Sequence, residues 1–269
     1  MNAQQTPSHW QHKSRVAKDF GAAATRYDRS ARLQRTVVEA LMALQPTGEA
    51  RAVLDLGCGT GLAIPKLAHH FPQARLHALD LAEGMVAYTQ ERFGNQLSTA
   101  AVADAEALPL PQGCVDRVFS SLMIQWCPAP SRVLQEIHRV LQPGGVALIS
   151  TLVDGTLLEL KEAWEVIDPE GHHVNRFVRR DSLEDLCRAV FPEFEVSYQT
   201  VTLVYDNVTH LFRELKGIGA RYKADDRSGR VTAPGRIRAL QQAYEEAHGD
   251  GGCIPARYEV ALAVLHKPH

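Results

Sequence analysis

Two rhythms of apolar residues alternate along the chain and divide it into elements. Residues 14–45 carry apolar side chains at steps of three and four, among them Val16, Phe20 and Leu41, and this spacing predicts helix. We expect Gly21 to interrupt the first part, because glycine is a poor helix former. The pattern therefore predicts a loose arm followed by a firmer helix.

From residue 51 onwards, short apolar runs replace the helical period. They predict buried strands at 51–56, 75–81, 98–104, 115–121 and 146–151. The intervening segments predict helices at 61–71, 83–93 and 129–141, and P-G-G at 143–145 predicts a turn. Alternating strands and helices form a parallel sheet covered on both faces, with a ligand at the carboxyl ends of its strands.

The alternation ends after residue 151. Residues 155–190 look helical and polar, long strands are predicted at 195–206 and 257–267, and helices at 207–221 and about 233–247. We divide the chain into an N-terminal helical arm, a ligand-binding core, a helical insertion and C-terminal strands that complete the sheet with intervening helices. Their bounds are 1–48, 49–151, 152–194 and 195–269. The helical pieces can form a lid above the sheet.

Composition narrows the class without naming a function. The 269 residues are 45% hydrophobic, and the net charge of −2 gives no general attraction to nucleic acid or to a membrane surface. No apolar run approaches the roughly 18–20 residues that span a bilayer. The five cysteines are scattered and odd in number, which favours free thiols, a cytoplasmic location and no structural metal site.

The segment V-L-D-L-G-C-G-T-G at 53–61 carries the first chemical signal. Gly57, Gly59 and Gly61 recur at every second residue, and Asp55 stands two residues before the first of them. The fingerprint for a dinucleotide pyrophosphate is G-x-G-x-x-G, and a carboxylate beside the loop would repel phosphate. A carboxylate attracts an ammonium or a sulfonium, so the pattern favours S-adenosylmethionine.

Two further acids end the next two predicted strands. Asp80 can accept hydrogen bonds from ribose hydroxyls, and Asp104 is placed to accept one from an adenine amino group. A single acid at such a position could be a helix cap, but three at successive strand ends indicate one site. We add Leu81 and Ala105, which follow these acids, to the predicted cofactor site.

These motifs resemble those of the class I S-adenosylmethionine-dependent methyltransferases. The likeness rests on D-L-G-C-G-T-G, A-L-D, A-D and R-V-L-Q-P-G-G and covers about residues 50–151. It implies an α/β, Rossmann-like sheet that is mostly parallel. Its last strand, which we assign to 257–267, is expected to be antiparallel and inserted in the sheet.

A second resemblance covers about residues 14–267. The segments that carry it are F-G-A-A-A-T-R-Y-D-R-S-A-R-L-Q at 20–34, S-S-L-M-I-Q-W-C at 120–127, T-L-V-D-G-T-L-L-E-L at 151–160, N-R-F at 175–177 and L-K-G-I-G-A at 215–220. They are similar to the family of malonyl-acyl-carrier-protein O-methyltransferases. The resemblance implies methylation of the free carboxylate of a malonyl thioester at the start of biotin synthesis.

That reaction needs alignment and exclusion of water rather than a base. A carboxylate is already ionised at neutral pH, so no catalytic role is assigned to His138, His172, His173 or His210. A buried acceptor carboxylate calls for a cation, and we choose Arg176 of the N-R-F motif.

Tyr27 is the second predicted catalytic residue, because an aromatic ring in the arm can lie over a sulfonium or bond the acceptor. Gln125 and Trp126 follow the fourth strand, where this fold places acceptor-facing residues. Gln34 and Lys216 match the family's motifs, with no role assigned.

The expected partner is an acidic carrier protein that bears the malonyl group, with malonyl coenzyme A as the other possible thioester substrate. Two basic clusters could receive it; they are Arg176, Arg179 and Arg180, and Lys216, Arg221, Lys223, Arg227 and Arg230.

Three alternatives remain at this stage. The first is a methyltransferase of another small acceptor, which would share the same core. Methylation of a phenol would require a general base, and the sequence shows no evident candidate for one. A catalytically silent protein that binds S-adenosylmethionine would also keep Asp55, Asp80 and Asp104. A nicotinamide dehydrogenase is disfavoured by the glycine spacing and by Asp55.

Overall fold

A computed structural model describes residues 7–220 and 234–269. The strands are β1 (Ala52–Leu56), β2 (Arg75–Asp80), β3 (Thr99–Val102), β4 (Val115–Ser121), β5 (Leu141–Leu152), β6 (Glu193–Tyr205) and β7 (Ile254–His266). The helices are α1 (Pro7–Tyr27), α2 (Arg32–Ala43), α3 (Ile64–His70), α4 (Glu83–Phe93), α5 (Pro130–Val140), α6 (Leu158–Ile167), α7 (Arg180–Arg188), α8 (Val208–Gly217) and α9 (Pro234–His248).

The strands form one sheet of seven in the order β3-β2-β1-β4-β5-β7-β6. The first five strands are parallel, and β7 lies between β5 and β6, antiparallel to both. This confirms the predicted fold class, including the antiparallel strand inserted from the end of the chain. It also places the carboxyl ends of β1, β2 and β3 side by side.

The core lies on both faces of the sheet because adjacent residues of each central strand point in opposite directions. Val53 of β1 packs in one apolar cluster with residues of α2, α6, α8 and α9. Leu54 and Leu56 pack in the other with residues of α5 and α7. Every residue of β1 is buried, which explains why all of them except Asp55 are apolar.

The prediction that Gly21 interrupts the arm is wrong. α1 runs unbroken through Gly21, and the chain turns only at residues 28–31, before α2. Gly21 lies instead where α1 meets the start of α4, and a Cβ built on Gly84 would stand 2.7 Å from the carbonyl oxygen of Gly21. The glycines therefore serve close approach of two helices rather than a break.

Two other boundaries differ from the sequence prediction. β5 begins at Leu141 rather than 146, because the chain through Gly144 (φ +75°) stays against the sheet while its register to β4 shifts between Val115 and Arg117. The polar stretch at 155–190 is not one helix; α6 and α7 flank an extended connection, in which Val178 pairs with Val153.

Candidate active site

A cavity of about 750 Å³ lies over the carboxyl ends of β1, β2 and β3, and we call it the cofactor cavity. Gly57 and Gly59 border it after β1, and the predicted residues of the next two strands border it as well; these are Asp80, Leu81, Asp104 and Ala105. The structure thus brings together residues from three separate strands that the sequence assigned to one site.

The loop at residues 57–61, which we call the glycine loop, has backbone angles at its three glycines that residues with a side chain rarely adopt. Gly57 has φ +74°, and a Cβ there would stand 2.3 Å from Cγ of Met123. Gly59 has φ +54°, and a Cβ there would meet no atom within 4 Å beyond its chain neighbours, so its backbone faces open space. Gly61 does not border the cavity; a Cβ there would stand 2.7 Å from the ring of Phe93.

Asp55 is a buried carboxylate that lacks a full set of partners. Its side chain is 3% exposed and borders a smaller cavity of about 350 Å³ beside the glycine loop. Oδ2 has no hydrogen-bond partner among the described residues. Burial, with a smaller contribution from the charge of Asp80, raises the pKa of Asp55 to about 8. A cationic ligand here would satisfy the free oxygen and restore the charge, so the site fits the ammonium end of S-adenosylmethionine.

Asp80 is fixed by the backbone around it. Oδ2 accepts a hydrogen bond from the Gly59 N–H at 2.9 Å, and Oδ1 accepts one from the Ala82 N–H at 2.8 Å. Burial raises the pKa of Asp80, while these donors oppose the rise. The carboxylate therefore ties β2 to the glycine loop and still has lone pairs to offer to ribose hydroxyls.

Asp104 is engaged by a residue that sequence reasoning missed. The ammonium of Lys13 in α1 donates to Asp104 Oδ2 and to Glu106 Oε2, both at 2.7 Å, and Lys13 borders the cofactor cavity. Burial works against the positive charge, but the two carboxylates outweigh it and raise the pKa of Lys13. Lys13 stands on the same helical face as Val16 and Phe20, so a lysine in an otherwise apolar row was the available signal.

The arm α1 forms the roof of the site. Phe20 packs edge-on against Trp126, with ring centroids 5.2 Å apart. At the end of the helix, Asp28 accepts a hydrogen bond from Thr60 Oγ1 of the glycine loop at 2.6 Å and pairs with Arg92 of α4. Ion pairs and hydrogen bonds therefore hold both ends of α1 over the carboxyl edge of the sheet.

A second cavity of about 640 Å³ adjoins the first, and we call it the acceptor cavity. Gln34 of α2, Gln125 and Trp126, three of the residues that the sequence analysis selects for the substrate site, border it together with Asn175. Gln125 is oriented by its own bonds, because Nε2 donates to the Leu122 carbonyl at 2.8 Å and Oε1 accepts from Thr151 Oγ1 at 3.2 Å. None of the described residues that border this cavity is charged.

Tyr27 borders the cofactor cavity, the acceptor cavity and the small cavity beside Asp55. Burial and the charges of Asp80 and Asp28 raise the pKa of its hydroxyl, so the phenol stays neutral. Phe20, Leu122 and Trp126 border the two large cavities together with Tyr27.

Backbone strain is concentrated at the acceptor cavity. Leu122 (φ +51°) and Leu157 (φ +56°) adopt the left-handed conformation, which costs a leucine on the order of 1–3 kcal/mol, and both border this cavity. The N–H of Leu122 is held by the carbonyl and hydroxyl of Ser150, at 3.1 Å each. Such strain commonly marks a functional site, and no sequence pattern predicted it.

Two predicted acceptor residues lie outside the cavity. Arg176 is exposed, while its neighbours Asn175 and Phe177 border the cavity. Lys216 is also exposed, between Leu215 and Ile218, which do border it. The structure therefore does not bring the Arg176 guanidinium to a buried acceptor, and it puts both cations near the rim.

The predicted basic clusters are only partly described. Arg179 pairs with Asp181 and Arg180 with Glu259, so two of the three cations in the first cluster have acidic partners. Four members of the second cluster lie outside the described residues; they are Arg221, Lys223, Arg227 and Arg230.

Within residues 7–220 and 234–269, no group of three or more His, Cys, Asp or Glu side chains could hold a metal ion. The helices described there are all too short or too polar to cross a bilayer.

The sheet order, the glycine loop and the three strand-end acids define a class I S-adenosylmethionine-dependent methyltransferase. A family model described as a methyltransferase domain matches residues 54–149. The Malonyl-[acyl-carrier protein] O-methyltransferase of Hahella chejuensis is 37% identical over 255 residues, which cover 95% of this chain and 91% of that protein. The chain belongs to the malonyl-acyl-carrier-protein O-methyltransferase family, and its cofactor is S-adenosylmethionine.

Other similar proteins differ from this chain in length and in sequence identity. The Biotin biosynthesis bifunctional protein BioHC of Teredinibacter turnerae is 39% identical over 98% of this chain, and the chain spans 49% of that protein. The solved phosphoethanolamine N-methyltransferase 2 of Haemonchus contortus, in complex with S-adenosyl-L-methionine, has a TM-score of 0.56 and 20% identity. That alignment covers 93% of this chain and 57% of the solved one, and it supports the fold alone.

Proposed function

We propose that this enzyme transfers a methyl group to the free carboxylate of a malonyl thioester carried by an acyl carrier protein. The product would be the malonyl methyl ester with which biotin synthesis begins. The observation that carries the proposal is an uncharged cavity with several amide donors, joined to the cofactor cavity at Tyr27. The family to which the chain belongs supports the same acceptor.

The donors of the acceptor cavity suit a carboxylate. Gln34, Gln125 and Asn175 each offer amide N–H groups, and Tyr27 and Tyr258 add hydroxyls. Neutral donors can hold one carboxylate oxygen while the other keeps an available lone pair. We assign Gln34 and Gln125 to this role, with Trp126 as an apolar wall for the malonyl chain.

The chemistry needs no proton transfer. Bound S-adenosylmethionine supplies the methyl group and a positive charge on sulfur that attracts the acceptor carboxylate. None of the described residues that border the two large cavities is a histidine. The protein's part is to align the acceptor oxygen and to exclude water, which the roof of Phe20, Tyr27 and Trp126 would do.

We assign the cofactor residues as the strand-end acids indicate. Asp55 would pair with the ammonium group, Asp80 would accept from the ribose hydroxyls and Asp104 from the adenine amino group. Gly57 and Gly59 would allow the backbone to approach the ligand, and Leu81 and Ala105 would line the adenosine portion.

An acidic carrier protein would dock beside the acceptor cavity, in the cytoplasm, where the five free thiols would stay reduced. Arg176 and Lys216 are exposed next to residues that border the cavity, so they can meet carboxylates on a carrier surface. This gives Arg176 a role at the rim rather than as a clamp on the malonyl carboxylate.

A turnover assay tests the acceptor. Purified enzyme with S-adenosylmethionine should release S-adenosylhomocysteine and form a methyl ester on malonyl carrier protein. Acetyl carrier protein, which has no free carboxylate, and the malonyl methyl ester itself serve as matched controls and should give no turnover. Turnover on a phenol or an amine, with none on the malonyl thioester, would refute the proposal.

A further inference from the structure

We propose that Lys13 is a positioning residue for the cofactor, which fixes the arm α1 over the cofactor cavity through Asp104 and Glu106. This inference concerns the cofactor site and holds for any acceptor. Lys13 is 3% exposed, and its side chain makes two ion pairs of 2.7 Å with residues that follow β3, about ninety positions away along the chain. It is a charged link between α1 and Asp104, the residue that we assign to the adenine amino group.

The charges explain why this link holds. Glu106 is 6% exposed, and its other oxygen, Oε1, accepts a hydrogen bond from the Ala129 N–H at 2.9 Å. Two carboxylates therefore lie side by side where α1 covers them. Removing one partner from a buried ion pair is strongly destabilising, because the remaining charge stays without compensation. Without the Lys13 ammonium, Asp104 and Glu106 would favour solvent over contact with the arm.

The arm supplies part of the wall that encloses the cofactor cavity. Val16, Ala17 and Phe20 border the cavity one to two helical turns after Lys13. At the other end of α1, Asp28 bonds Thr60 and Arg92, and a short turn at residues 28–31 leads into α2. Loss of the Lys13 pairs would therefore let the N-terminal part of α1 move away from the sheet, while the end near Asp28 stays held. This motion would open the cofactor cavity beside Asp104.

Lys13 and Glu106 differ in a way that permits a sharp test. Lys13 borders the cofactor cavity, whereas Glu106 does not. Glu106→Gln removes a charge from the ion pair with Lys13 and keeps a side-chain oxygen that can still accept from the Ala129 N–H, so we expect its effect on the cofactor to pass mainly through Lys13 and α1. Lys18→Met is the matched control, because Lys18 is an exposed lysine on the outer side of the same helix.

The measurements are the affinity and the dissociation rate of S-adenosylhomocysteine, and hydrogen–deuterium exchange of α1 in the ligand-free protein. We expect Lys13→Met and Glu106→Gln each to raise the dissociation constant about tenfold or more, equivalent to about 1.4 kcal/mol, mainly by faster release. Both should speed amide exchange in α1, and Lys18→Met should change neither quantity.

Three results would overturn the proposal. If both variants bind S-adenosylhomocysteine and exchange the α1 amides as wild type does, the ion pairs of Lys13 do not position the arm. Faster exchange with unchanged affinity would make the ion pairs merely structural. An effect of Lys13→Met with none of Glu106→Gln would indicate direct contact between Lys13 and the ligand. If Lys13→Met does not fold, the result for Glu106→Gln alone decides whether the proposal holds. None of these measurements requires a methyl acceptor.

Discussion

The backbone of Gly84, in the first turn of α4, lies against the backbone of Gly21 in α1, so that a Cβ on Gly84 would stand 2.7 Å from the Gly21 carbonyl oxygen. A methyl group does not fit at that distance, and Gly84→Ala must push the arm away from α4. We expect a melting temperature lower by about 3 °C or more, and weaker binding of S-adenosylhomocysteine. Thermal denaturation and calorimetry would measure the two effects.

The reciprocal change provides the control. A Cβ on Gly21 would meet its nearest neighbour, the Gly84 nitrogen, at 3.6 Å, which is an ordinary contact. Alanine in a helix interior is favoured over glycine by about 0.5–1 kcal/mol. Gly21→Ala should therefore leave stability unchanged or raise it. Equal damage from both substitutions would show that the close approach is not the cause.

The raised pKa of Asp55 predicts how stability depends on pH. The folded protein holds the Asp55 proton up to about pH 8, whereas an unfolded chain releases it near pH 4. The ligand-free folded state thus loses stability through this group as pH rises from about 4 to 8. Asp55→Asn, which has no such titration, should be more stable than wild type at pH 8 and close to it at pH 4.

Urea unfolding of the two proteins at several pH values would test this. The same substitution should abolish the thermal stabilisation by S-adenosylhomocysteine, because the ligand's ammonium group loses its partner. An Asp55→Asn protein that gains no stability with rising pH relative to wild type would contradict the assignment of a buried, unpaired carboxylate.

Tyr27 should act through its ring rather than through its hydroxyl. The ring borders all three cavities of the site, and an aromatic face attracts a cation with about 0.5–2 kcal/mol. We expect Tyr27→Phe to keep kcat within about threefold of wild type and Tyr27→Leu to lower it about tenfold or more. Steady-state kinetics decide, and a Tyr27→Phe enzyme as slow as Tyr27→Leu would assign the role to the hydroxyl.

Gln34 offers a test of acceptor charge. It is 9% exposed, borders the acceptor cavity and has an amide oxygen without a hydrogen-bond partner among the described residues. Gln34→Leu removes a donor and should raise the KM for the malonyl thioester. Gln34→Glu, of the same shape, should raise it further at pH 8 because two carboxylates would face each other. Equal KM values for the two variants would argue against an anionic acceptor at this position.

The exposed position of Arg176 predicts that it serves the carrier and not the malonyl group. Arg176→Glu should raise the KM for malonyl carrier protein several-fold and leave the KM for malonyl coenzyme A near wild type. Arg75→Glu is the control, because Arg75 is exposed at the amino end of β2, the opposite edge of the sheet. A similar rise in KM for both substrates would instead support a direct contact between Arg176 and the malonyl carboxylate.

The sequence predicted the cofactor half of the site because its residues follow strands in sequence. A carboxylate or glycine directly after a buried parallel strand must lie at one edge of the sheet, whatever the helices do. Asp55, Asp80 and Asp104 converge for that reason. Their detailed bonds, such as the engagement of Asp80 by the Gly59 N–H, depend on the path of the loop and could not be read from spacing.

The acceptor half depends on elements far apart in sequence. Gln34, Gln125 and Asn175 come from α2, from the turn after β4 and from the connection between α6 and α7. Motif likeness placed Arg176 in this site, but one residue of register decides which side chain faces inward, and the structure turns Asn175 and Phe177 to the cavity instead. Lys13 was missed since a lone lysine in an amphipathic helix is ordinarily a solvated residue.

The insertion of β7 between β5 and β6 affects how the chain reaches its folded state. Residues 254–266 pair with both neighbours along most of their length, so neither neighbour has its inner edge satisfied until this segment has left the ribosome. During synthesis the nascent chain must carry two unpaired strand edges, which are templates for aggregation. We expect early folding to stall with a partial sheet that needs chaperone protection, and final closure to be slow because its contacts are so distant in sequence.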